Sequence, residues 1–185
     1  MTLDPQRYFL NYEKLIFDEK IYGKLAEFAD ILKVTRASGA RLIFAGNGAS
    51  SSISSHAALD FTKQGKLEAL TFTDPALVSA YSNDFGFENA FAEMFNSYRK
   101  DGDLIVLVST SGNSANVVNL ALRAKQLGHT VVSFTGKSAS NELKQNSDVA
   151  FWVDSHAYNI VENTHMIWLG YLIDSLVGKE VYAVS

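Results

Sequence analysis

The 185-residue chain contains no cysteine. Disulfides, thiolate metal sites and cysteine nucleophiles are excluded outright. Proline is scarce: Pro5 and Pro75 are the only two, so no Pro-rich linker divides the chain. There is no basic run, and the formal net charge is −4. That is the opposite of the basic stripe expected of a nucleic-acid binder. No apolar run approaches the roughly 20 residues that a membrane-crossing helix needs. The opening Met1-Thr2-Leu3-Asp4-Pro5 lacks the basic-then-apolar order of a secretory signal. These absences lead us to expect a cytoplasmic protein without direct contact to nucleic acid or membrane. What is present, 47% hydrophobic and 19% charged residues, suits one globular domain large enough to bury a real core.

Tyr12, Leu15, Ile16, Leu25, Phe28, Ala29 and Leu32 recur at three- and four-residue steps. This spacing predicts helix from 5 to about 37, broken once near Phe17–Glu19. Short apolar runs at 41–45, 68–73, 103–109, 130–135 and 149–153 predict five strands. Helical patterns lie between and after them, starting at Asp74-Pro75 and spanning about 51–63, 87–98, 115–127, 141–146 and 161–177. Alternation of this kind predicts a parallel sheet covered on both faces, a three-layer α/β/α sandwich. With no repeat or compositional break, residues 1–185 read as a single domain carrying an N-terminal helical extension over about 1–37.

Two strand-to-helix junctions are unusual. One reads Gly46-Asn47-Gly48-Ala49-Ser50-Ser51-Ser52, the other Ser109-Thr110-Ser111-Gly112-Asn113-Ser114. Ligands of open parallel sheets bind beyond the carboxyl ends of strands, where these loops fall. Helix N-termini supply unpaired N–H groups and partial positive charge, and glycine lets the backbone aim them at one point. Small hydroxyl side chains add donors without blocking the approach. Together they describe a phosphate cradle that needs no lysine. Either loop alone also reads as ordinary helix capping and turn chemistry.

The strings Gly46-Asn47-Gly48-Ala49-Ser50, Asn83-Asp84-Phe85-Gly86-Phe87 and Ser109-Thr110-Ser111-Gly112-Asn113-Ser114-Ala115-Asn116-Val117 come in order, with Thr135-Gly136-Lys137 after the fourth strand. In order and spacing the chain resembles the phosphoheptose isomerases and their relatives among sugar isomerase (SIS) domain proteins, replication regulators included. The resemblance extends over nearly its whole length. It implies a flavodoxin-like five-stranded sheet. It also implies a phosphorylated sugar bound by Asn47, Ser50, Ser51, Asn83, Asp84, Ser109, Thr110, Ser111 and Ser114, and a homotetramer with sites built at subunit interfaces.

The family reaction, interconversion of a ketose and an aldose phosphate, moves a proton between adjacent carbons. It requires a base near carbon and a group for the oxygen protons, or a metal that polarises the oxygens. His56 and Asp60, four apart, share a helix face; Glu162 and His165, three apart, can share another. Both spacings also fit plain surface pairs. The resemblance places His56 at a family histidine and Asp60, one methylene shorter, at the family's glutamate base. Glu162 stands at a family glutamine, Gly170 at a family histidine, and Gln64 at an arginine. His165 matches a different family histidine. The positions of His56, Asp60, Glu162 and Gly170 surround zinc in metal-bearing members, so the resemblance makes His56, Asp60 and Glu162 the metal candidates here. His56, Asp60, Glu162 and His165 are the catalytic candidates, with Asp60 as the base. Three readings follow: an isomerase of sedoheptulose 7-phosphate, an isomerase of another phosphorylated sugar, or a non-catalytic SIS protein that senses a sugar phosphate or serves as a protein-binding scaffold.

Overall fold

The computed structural model describes residues 3–182. Two helices come first, α1 (Pro5–Ile16) and α2 (Glu19–Ser38). Asp4 opens α1 by accepting from the Arg7 N–H, with Pro5 in the first turn where a missing N–H costs nothing. The break falls at Phe17-Asp18, where Asp18 caps α2 by accepting from Lys20. The alternating part follows: β1 (Leu42–Gly46), α3 (Ala49–Lys63), β2 (Ala69–Thr71), α4 (Pro75–Phe85), α5 (Ala90–Tyr98), β3 (Leu104–Ser109), α6 (Ala115–Gln126), β4 (Val131–Thr135), α7 (Glu142–Gln145), β5 (Val149–Trp152) and α8 (Tyr158–Val177). No helix among the described residues is long and apolar enough to cross a membrane.

The strands form one parallel sheet in the order β2-β1-β3-β4-β5. Alternate side chains feed two cores. Leu42, Phe44, Val106, Val132, Phe134 and Phe151 pack against α2, α3 and α8. Ile43, Ala45, Ile105, Leu107 and Val131 pack against α5 and α6 on the other face. Strands covered on both faces must be apolar throughout, which is why they stand out as continuous runs.

The elements depart from expectation in two informative places. β2 has three residues and only half-buried side chains; on either side of it Glu68 O accepts from the Leu42 N–H at 2.9 Å and the Phe72 N–H donates to Phe44 O at 3.2 Å. α8 begins at Tyr158, three residues before the expected start. The chain runs outward from β1 to β2, then returns to place β3 on the other side of β1. The loops after β1 and β3 therefore diverge from adjacent strand ends. This reversal is where open α/β sheets leave a crevice for ligands.

Candidate functional site

The two polar loops meet at that reversal. Asn47, Ser50, Ser109, Thr110, Ser111 and Ser114 line one pocket of about 160 Å³, joined by Tyr158 and Glu162 from the start of α8. α3 is capped by Gly48 and α6 by Ser114, and neither cap makes a side-chain hydrogen bond to its helix. The N–H groups of Ala49 and Ser50 in α3, and of Ala115 and Asn116 in α6, thus remain available to an anion, while Ser51 and Val117 already donate to Gly48 O and Ser114 O.

The loop after β3 is held by its own hydroxyls and by a distant side chain. The Gly112 N–H donates to Ser109 Oγ at 3.2 Å, and the Asn113 N–H to Ser111 Oγ at 3.2 Å. Ser109 Oγ also donates to Ser114 Oγ at 3.5 Å, whereas Ser111 Oγ accepts within the turn and keeps its proton to donate. Gly112 lies at φ +65°, and a Cβ there would run into the Asn141 side chain. Asn141, 1% exposed, is pinned by donating to Ser138 O at 2.8 Å and to Thr135 Oγ1 at 3.2 Å, while its Oδ1 accepts from the Lys144 N–H at 2.9 Å.

The loop after β1 is tied to α6. The Asn47 and Asn116 side-chain amides bond reciprocally, each Nδ2 2.9 Å from the other's Oδ1. Asn47 therefore lines the pocket with its carboxamide already paired. Asn116 and Asn141 were not singled out from the sequence as site residues, and Tyr158 also went unnoticed. The remaining expected ligand residues lie elsewhere. Ser51 Oγ does not reach the pocket lining; its carbonyl accepts from Ser55 Oγ at 3.0 Å. Asn83 donates to Asp84 at 3.0 Å, both exposed near the end of α4.

The acids and histidines separate into three environments. Glu162 lies in the pocket wall and accepts from Thr110 Oγ1 at 3.3 Å. On α3, His56 Nε2 lies 3.1 Å from Asp60 Oδ2, and Gln64 Nε2 donates to Asp60 Oδ1 at 2.9 Å. Asp60 comes eleven residues after the start of α3, about 16 Å along the axis from the pocket. It faces the far end of α8, where Arg36 Nη1 donates to both Gly65 O and Leu176 O. His165 lies in the core, 0% exposed, its Nε2 3.0 Å from Thr135 O and its ring edge-on to Phe134. Burial lowers its pKa from 6.5 to about 4. The three-residue step from Glu162 turns one side chain to the pocket and the other into the sheet.

Among the described residues, no group of three His, Cys, Asp or Glu could hold a metal ion. His56 and Asp60 supply two donors, and Glu162 lies at the opposite end of the helix pair, so these residues do not fit zinc within one chain.

A larger cavity of about 590 Å³ opens at the amino ends of the strands, lined by Glu27, Asp30, Asp103, His129 and neighbours. Its polar groups serve the fold. Asp103 forms a buried ion pair with Arg41 at 2.8 Å, and His129 Nδ1 lies 2.9 Å from Asp103 O. The smaller pocket is the one at the carboxyl ends of the strands.

The chain matches the family model of the SIS domain over residues 13–136. It is 34% identical over 166 residues to a phosphoheptose isomerase from Akkermansia muciniphila, covering 86% of this chain and 87% of that one. A phosphoheptose isomerase from Sulfurimonas denitrificans is 28% identical over 172 residues, with coverage of 89% and 87%. The solved structure of a phosphoheptose isomerase from Francisella tularensis superposes with a TM-score of 0.80 at 21% identity, covering 96% of this chain and 100% of that one.

Proposed function

Because this chain belongs to the SIS domain family, and within it to the phosphoheptose isomerases, we infer that it is a sugar-phosphate isomerase interconverting a ketose and an aldose, with sedoheptulose 7-phosphate as the first substrate to test. The observation that carries this reading is the meeting of two hydroxyl-rich helix starts with one carboxylate in a single pocket. The hydroxyls of Ser50, Ser109, Ser111 and Ser114, with the N-termini of α3 and α6, bind the phosphate. At about 160 Å³ the pocket is smaller than the roughly 300–1,000 Å³ of sites that enclose a whole small ligand. It takes the phosphate end and leaves the sugar at the mouth.

Isomerisation removes a proton from the carbon beside the carbonyl, gives an enediol, and returns a proton to the neighbouring carbon. Glu162 is the carboxylate in the pocket wall, and we assign it the carbon proton. Its Oε1 accepts from Thr110, which fixes the rotamer and leaves Oε2 toward the ligand. Both Asp60 oxygens already accept from neighbours, His56 and Gln64. Such an arrangement holds a carboxylate in one pose. We assign the His56–Asp60 pair to the oxygen protons, delivered by a second copy of the chain, since about 16 Å of helix separates it from the pocket of its own chain. No step is assigned to a metal. His165 is left with a packing role.

The test is the kinetics of Glu162→Gln and Asp60→Asn with sedoheptulose 7-phosphate. Each should lower kcat about 100-fold or more while substrate binding is nearly kept. Full turnover in Glu162→Gln would return the carbon proton to Asp60, the base expected from the family pattern. Wild-type protein that binds sugar phosphates and turns none over would establish the sensor or scaffold reading.

A further inference from the structure

Lys137 follows β4 with φ at +54°, a left-handed conformation that is uncommon outside glycine. Its N–H donates to Ser155 O at 2.9 Å, and the Gly136 N–H donates to Thr110 O at 3.1 Å. The second bond docks this turn directly on the hydroxyl-rich loop after β3. Gly136 has no room for a side chain, since a Cβ would lie 2.7 Å from Val161 of α8. The turn is therefore clamped between the pocket loop and α8, and the direction of Lys137 is fixed by its backbone.

The Lys137 side chain runs over Tyr158, with Nζ 3.8 Å from the ring centroid. Among the described residues its ammonium has no carboxylate partner. Tyr158 is itself part of the pocket wall. A cation without a counter-charge is thus held one ring's width from the site. The pocket has the reverse imbalance: no Lys or Arg lines it, and Glu162 contributes a carboxylate. A phosphate dianion bound there meets hydroxyls and helix N-termini but also one like charge.

We propose that Lys137 is a substrate-contacting residue whose ammonium pairs with the phosphate of the bound sugar phosphate across the Tyr158 ring, offsetting the charge of Glu162. Tyr158 keeps the ammonium at the pocket's edge between turnovers. The contact with the ring yields to phosphate because a cation–π contact at an exposed site is weaker than a charge-assisted hydrogen bond. The inference rests on the sugar-phosphate reading above.

The experiment is calorimetric titration of sedoheptulose 7-phosphate, fructose 6-phosphate and ribulose 5-phosphate into wild type, Lys137→Met and Lys137→Arg, at low and high salt, with steady-state kinetics alongside. Methionine keeps most of the length and the left-handed backbone position and removes the ammonium, with its charge and its donors. For the sugar phosphate that wild type binds best, Lys137→Met should raise Kd about tenfold or more and flatten its salt dependence, because one charge–charge contact is lost. With kcat within about threefold of wild type, the effect lies in binding. Lys137→Arg should restore Kd to within about threefold, since the charge is kept. A Met variant that binds within twofold of wild type with the same salt dependence overturns the inference while leaving the pocket's function intact. So does a loss that arginine fails to repair, which would mark a packing effect. Wild type that binds none of the sugar phosphates overturns the reading of the pocket, and this inference with it.

Discussion

A side chain at Gly112 would enter the space that Asn141 occupies, and the residue is also left-handed at φ +65°. Gly112→Ala should therefore cost about 2 kcal/mol or more of stability, from backbone strain and from displacing a buried, fully bonded amide. Urea unfolding measures the loss, and sugar-phosphate affinity should fall with it because the loop carries Ser109, Ser111 and Ser114. A variant with wild-type stability would mean that Asn141 moves aside freely. His165 offers a second test. Its pKa is lowered to about 4 by burial, against an ordinary value near 6.5. Its stabilising effect is complete above about pH 6.5, where folded and unfolded chains both keep it neutral. As pH falls from there to about 4, the unfolded chain takes up a proton that the folded one refuses, and about 3 kcal/mol is lost. His165→Leu should remove that share of the pH dependence of the urea midpoint. An unchanged slope between pH 6.5 and 4 would contradict the burial argument. At this scale the sequence was only partly legible. The helical spacing of Glu162 and His165 put them near each other, but the angle between the two side chains decides which meets the ligand. Asn116 acts through Asn47, 69 residues away, and Asn141 through Thr135 and Gly112; a role built on contacts between loops leaves no local pattern.

The strands show why some elements can be read directly. β1, β3 and β4 are buried on both faces along their whole length, so burial alone forces an apolar run. β2 is an edge strand, and part of its apolar run lies in the chain around it. The start of α8 was not legible because its cap, Ala157, makes no side-chain bond; without a Ser, Thr, Asp or Asn there, no signal marks the start. The two loops were legible as unusual junctions because glycine and small hydroxyls stand together in sequence order, and the structure brings both into one pocket. The hydroxyls at the start of α6 are accordingly expected to bind ligand. Ser111→Ala and Ser114→Ala should each cost on the order of 1–3 kcal/mol of sugar-phosphate binding. Calorimetry of the double variant checks this, and unchanged affinity would remove these hydroxyls from the site.

The whole molecule exposes more apolar surface than its cores explain. α1 buries none of its residues, Phe9 and Phe17 are 65% and 64% exposed, and an apolar groove of about 330 Å³ runs between Phe17, Tyr22, Ile167 and Tyr171. Contiguous surface of this kind marks association. The proposed assembly is a homotetramer, so light scattering at micromolar concentration should give about four times the chain mass of 20.3 kDa. A monomer would leave the His56–Asp60 pair with no pocket to serve. If a second copy supplies that pair, co-refolding the inactive Asp60→Asn and Glu162→Gln variants should restore activity, because roughly a quarter of randomly formed sites would carry both native groups. No recovery would confine each site to one chain. The most direct test of the central claim is NMR of the wild-type protein incubated with sedoheptulose 7-phosphate, followed for the appearance of aldose phosphate. The account predicts aldose signals that grow over many turnovers and are abolished in Glu162→Gln. Bound ketose phosphate with no aldose formed would contradict it.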